Sequence, residues 1–196
     1  MNQATPAEAL AEIADRYWGL ECEEFPFGAI LAGEDTGGNV LFREAPADYD
    51  RKRDRAVEFL SELDAVPVDA LDANDRATYR LLGRELEKIR DFHAVRAHLR
   101  PSLFPAGPDF NLRYFANSTN ANTVAAAELY LERLATVRGF VGDLKESLDA
   151  GHAFGFRYPR YVLDRAAGAV RSGISKNARD SALYGPFDRS TAAGSA

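Results

Sequence analysis

The chain is poor in the residues that do chemistry at protein sites. One cysteine, Cys22, stands among 196 residues, so no intramolecular disulfide can form and a reducing compartment is expected. Only three histidines are present, His93, His98 and His152. There is no H-E-x-x-H, no C-x-x-C and no G-x-S-x-G, which removes the usual signatures of a zinc site and a serine nucleophile. Nothing in the sequence places a histidine beside Cys22 to make it a nucleophile. A basic excess is also missing. The net charge is −6, so no domain-wide positive field exists to displace counterions from nucleic acid, and none is expected as a partner. No apolar run approaches the length that spans a bilayer, and the first residues lack the basic-then-apolar layout of a signal peptide. A cytoplasmic protein without a membrane partner is the expectation.

What is present is helical periodicity. The hydrophobic fraction of 46% and charged fraction of 28% are those of a globular domain, and five or six stretches repeat apolar residues at helical spacing. Thr5-Pro6-Ala7-Glu8 reads as a capping box opening a helix that ends near Gly19. Pro46 opens a second helix and Asp72 caps a third that runs to about His98. Asn122 caps the longest, whose apolar positions include Tyr130, Leu134, Phe140, Leu144 and Leu148, with Gly151 as its left-handed terminator. Thr136-Val137, Gly139 and Gly142 predict a bend in its middle. Pro159 starts another. The stretches 21–45 and 100–121 read as long loops, the second because Pro101, Pro105 and Pro108 oppose helix. Together these define an all-α irregular bundle of five to six helices with two long loops: a lobe over 1–189 and a disordered tail over 190–196.

Several local patterns weaken under scrutiny. Gly33–Gly38 lacks the Gly-Lys-Ser/Thr of a phosphate loop. Asp48, Asp50 and Asp54 are interleaved with Arg51, Lys52, Arg53 and Arg55, which would compete with a cation and read better as surface ion pairs. His93 and His98, five apart, do not share a helix face in the way a metal-binding pair does, and read as surface or cap histidines. Asn117-Ser118-Thr119 supplies turn hydrogen bonds.

One set of motifs carries a resemblance. Tyr130-x-x-Arg133-Leu134, Leu148-x-x-Gly151-x-x-x-Gly155, Pro159-Arg160 and Ser181-x-x-Tyr184-x-Pro186-Phe187 are similar to the DUF eight-eight-five family of bacterial proteins. The family's P-x-x-A-T-x-x-G is met by Pro26, Ala29 and Gly33, with Ile30 in place of threonine. The resemblance implies a mostly helical protein like the zinc metallopeptidases, whose H-E-x-x-P-G-H-H motif lies downstream of the region matched. It therefore implies the N-terminal lobe of such a protein, forming part of a substrate-cleft wall and catalytically silent alone. No cofactor is expected in this chain; zinc is implied for the full-length family only. Implied partners are the C-terminal catalytic region or another copy of the chain, and a peptide substrate in the full-length protein. The candidate cleft or interface residues are Phe110, Tyr114, Arg133, Phe156, Arg157 and Arg160. A stand-alone helical interaction module is the alternative.

Overall fold

A computed structural model describes residues 4–34 and 38–193. Eight α-helices and four 3₁₀ turns account for the regular structure among them, with no strand. The architecture is the expected all-α irregular bundle. The helices are α1 (Pro6–Glu24), α2 (Pro26–Leu31), α3 (Pro46–Asp64), α4 (Ala73–Ala94), α5 (Pro108–Ser118), α6 (Val124–Phe154), α7 (Arg160–Gly173) and α8 (Gly185–Ala193).

The first core is built by α1, α3 and α4. Leu10, Ile13 and Leu20 meet Ala56, Phe59 and Leu63, and Leu82 and Leu86 close the other side. Helices α3 and α4 run antiparallel: a Cβ on Gly83 would meet Leu63, while Arg53 reaches His93 at the far end. Phe59 is wholly buried, and burial of such a ring stabilises by about 1.5–3 kcal/mol. Thr5 caps α1 as its motif predicts, with its hydroxyl accepting from the Glu8 amide at 3.3 Å and its own amide donating to the Glu8 carboxylate at 2.7 Å.

A second core gathers Phe27, Leu41, Phe42, Phe115, Ala116, Tyr130, Phe140 and Leu144. Phe42 stacks on Phe140 with ring centroids 4.5 Å apart, and Phe115 stacks on Tyr130 at 5.3 Å. Helix α8 brings Phe187 edge-on to Tyr130.

The structure departs from the sequence expectations at defined points. Helix α1 continues past Gly19 to Glu24. Both long loops hold a short helix, and each begins with a proline, Pro26 or Pro108, at a first-turn position where the missing N–H costs nothing. Helix α4 stops at Ala94, and His98 lies in a separate 3₁₀ turn, Ala97–Leu99. Thr123, not Asn122, caps α6, accepting from the Ala126 amide at 3.1 Å. The weak middle does not interrupt α6, which runs unbroken for 31 residues. Its left-handed terminator is Gly155, at φ 110°, rather than Gly151. Helix α8 extends through Ala193, into the segment read as a disordered tail; residues 194–196 lie outside the described residues.

Gly151 is helical for a different reason. A Cβ there would lie 2.0 Å from the Leu99 carbonyl oxygen, so only glycine lets that turn seat against α6. Gly139 and Gly142 have open space around them. Alanine at Gly139 or Gly142 should therefore raise stability by up to about 1 kcal/mol each, through helix propensity alone. Alanine at Gly151 should lower it by about 1–3 kcal/mol, through forced displacement of the turn. Urea unfolding of the three variants checks both signs.

Candidate functional site

One concavity opens between α3 and α4 on one side and α6 on the other. Its volume is about 580 Å³, within the range of small-molecule sites. Phe140 and Leu144 of α6 contribute apolar surface, with Tyr49 of α3, Phe92 of α4, Asn111 of α5 and Phe156 beyond α6. Glu44, His98, Arg100 and Ser102 add polar groups.

Local structure places each polar group. Glu44 sits just before α3, and the buried Ser147 hydroxyl donates to its backbone carbonyl at 2.9 Å, fixing this residue to α6. The Tyr49 hydroxyl donates to the Glu44 carboxylate. Burial raises the pKa of Glu44, opposed by the Tyr49 hydrogen bond and reinforced by Asp48 and Asp143. Burial likewise raises Asp143, aided by Asp48 and Glu146. Tyr49 is pushed up by burial and by the negative Glu44 beside it. The neighbouring cations are engaged elsewhere. Arg51 holds the buried Glu24 through two bonds of 2.7 and 2.8 Å and also Asp48 at 2.9 Å, and Lys52 pairs with Glu21 at 2.9 Å.

His98 is 6% exposed, not a surface residue. Its ring is stacked between Tyr49, at 5.1 Å, and His93, at 4.7 Å. Nδ1 is buried without a hydrogen-bond partner. His93 turns outward to Asp50, with Nε2 2.7 Å from the carboxylate. Burial first, and then the adjacent His93, lower the pKa of His98.

The six residues singled out from the sequence do not converge on one site. Phe156 lines the cavity. Phe110 and Tyr114 stack on each other, exposed on α5, and Tyr114 also meets Phe27 edge-on. Arg133 is buried, with Nε donating to the Gly38 carbonyl at 2.8 Å. Arg157 donates to the carbonyls of His152 and Phe156 at 2.8 and 2.7 Å, binding the open end of α6. Arg160 is almost entirely exposed, 3.6 Å from Asp164. The cavity's own residues Glu44, Tyr49 and Asn111 were missed. Glu44 and Tyr49 stand at the start of α3 and Asn111 on the distant α5, and no known motif joins them. Among the described residues no group of three or more His, Cys, Asp or Glu side chains could hold a metal ion.

The fold is an all-α bundle built on one long helix. Residues 26–196 match the family described as bacterial protein of unknown function (DUF885), and the chain belongs to it. No curated protein and no solved structure matches the chain.

The His98 environment has a pH consequence. In the unfolded chain a histidine protonates near pH 6.5, about its unperturbed value, while the folded protein resists protonation. Stability from His98 is thus present above that pH and is lost as pH falls through it toward the lower folded value. His98→Phe keeps a stacking ring but cannot titrate. Its thermal midpoint should fall less than that of the parent between about pH 7 and pH 5, as read by circular dichroism.

Proposed function

We propose that the chain is the N-terminal helical lobe of a zinc-metallopeptidase-like protein and forms part of its substrate-cleft wall. The observation that carries this reading is the family match from Pro26 onward, taken with the resemblance of the motifs around Tyr130, Gly151 and Tyr184. The open cavity between the cores supports it, since a cleft wall needs apolar seats with a few fixed polar groups. On this reading the zinc ligands and the reacting groups belong to the H-E-x-x-P-G-H-H region, and the lobe binds and orients a peptide. The partner is that region or, for the isolated lobe, a second copy meeting the exposed Phe110 and Tyr114 pair.

The isolated chain should hydrolyse no peptide from a mixed-sequence library and retain no stoichiometric zinc after dialysis. Adding a polypeptide that carries the H-E-x-x-P-G-H-H region should produce a complex that hydrolyses peptides, and Phe156→Ala in the lobe should raise KM more than it lowers kcat. Hydrolysis by the isolated chain, or a complex indifferent to the lobe's presence, overturns the reading.

A further inference from the structure

The cavity between the cores carries an unbalanced charge. Glu44 has a Tyr49 hydroxyl on it and no direct ion pair: Arg51 is held by Glu24 and Asp48, and Lys52, which still attracts it at longer range, is held by Glu21. Asp143, one turn from the apolar Phe140 and Leu144 on α6, adds negative potential and itself lies unpaired. The one cation in the wall, Arg100, places its guanidinium over the Tyr158 ring at 5.7 Å. Independently, His98 is nine-tenths buried in the same wall with Nδ1 unpartnered. A half-buried carboxylate without a direct ion pair and a buried ring nitrogen without a partner both cost stability. A cationic hydrogen-bond donor entering the cavity relieves the first cost.

We propose that this cavity binds a protonated amine carried on an apolar body, with Glu44 as its counter-ion and Phe140, Leu144 and Phe156 as its apolar seat. An anion of the same shape is rejected, because Glu44, Asp48 and Asp143 would repel it. A neutral isostere keeps the apolar contacts and loses the ion pair. The shape and volume suit an aromatic or branched alkyl group bearing a primary ammonium. The proposal goes beyond the peptidase-lobe reading and stands without it, since a small amine needs no catalytic region to bind.

The test uses the full chain at pH 7.5 with three probes of one shape: phenethylamine, phenethyl alcohol and 3-phenylpropanoate. Calorimetry should give the amine at least about ten-fold tighter binding than the alcohol, the ratio expected when one charge-assisted contact is lost, and no binding of the anion. Amide shifts in a nitrogen–proton spectrum should move at Phe140, Leu144 and Ser147. Glu44→Gln, which can still accept from Tyr49, should bring the amine down to the alcohol's affinity. Asp149→Asn, on an exposed part of the same helix, should leave it unchanged. Should Glu44→Gln fold poorly by circular dichroism, Phe156→Ala supplies the second arm and should weaken amine and alcohol alike. No amine binding, equal affinity for amine and alcohol, preference for the anion, shifts confined to another surface, or a folded Glu44→Gln that binds normally each overturns the proposal. None of these outcomes bears on complementation by the H-E-x-x-P-G-H-H region, so the two readings fail separately.

The same charge imbalance predicts a stability effect without any ligand. Folding raises the pKa of Asp143, so the folded state resists ionisation that the unfolded chain undergoes near pH 4, about the free carboxylate value. The penalty is absent below that pH and present above it. Asp143→Asn should therefore raise the thermal midpoint at pH 7, and the gain should vanish toward pH 4, about where both states are protonated.

Discussion

Helix α6 holds the irregular segments in place by donating hydrogen bonds to their backbone carbonyls. Tyr130 donates to Leu183 at 2.7 Å, Arg133 to Gly38 at 2.8 Å and Ser147 to Glu44 at 2.9 Å. Gly38 and Glu44 lie in irregular backbone and Leu183 in a short 3₁₀ turn, where a buried carbonyl left unpaired would be costly. With Phe140, Leu144 and Gly151, these residues form the buried stripe of the helix. The stripe keeps one face inward from Tyr130 to Gly151, about 32 Å at 1.5 Å per residue. Loops, turns and both ends of the second core are thereby referred to a single rigid axis. The burial of Tyr130 also pushes its pKa up to about 12, which keeps the phenol a hydrogen-bond donor at any physiological pH.

This arrangement explains what could be read from the sequence. Helix positions followed from apolar periodicity, and the caps at Thr5 and Asp72 from side-chain chemistry; Asp72 accepts from the Asp75 amide at 2.8 Å as expected. The stripe of α6 was legible only in part. Tyr130, Phe140 and Leu144 are buried, but Leu131 and Val141, which share the apolar pattern, are 54% and 53% exposed. Hydrophobicity could not reveal that Arg133 and Ser147 take inward positions, because their burial depends on carbonyls 95 and 103 residues away. The short helices α2 and α5 were hidden by their prolines, which read as breakers but act as first-turn residues. The uninterrupted middle of α6 shows tertiary packing overriding the weak propensity of two glycines.

The candidate cavity was less legible still. Phe156 was reachable through the family resemblance. Glu44 lies in a stretch that reads as loop, Tyr49 belongs to no motif, and His98 reads as a surface or cap histidine. Their common environment arises from one packing event. The turn at Ala97–Leu99 seats against α6 because Gly151 offers no Cβ, and this brings His98 back over Tyr49 near the start of α3. The glycine was noticed in the sequence as a helix terminator, a role that belongs to Gly155, four residues later. Its real contribution is to close approach between a turn and a helix.

The same contact gives the cavity its character. A fold optimised for stability alone would pair Glu44 or replace it by an apolar residue, as buried unpaired charges favour neither packing nor hydration. Here the nearby cations are committed to Glu21 and Glu24, which tie α3 to α1, and to Asp48 within α3. Those pairs leave the carboxylate at the cavity uncompensated while fixing its position through Ser147 and Tyr49. A group that is both costly and rigidly held departs from the consistency seen elsewhere in the bundle, and such departures concentrate where a protein meets a ligand. The walls also come from helices of both cores, with Tyr49 of α3 and Phe92 of α4 on one side and Phe140 and Leu144 of α6 on the other. An occupant would touch both at once and add contacts where the two cores otherwise meet across open space.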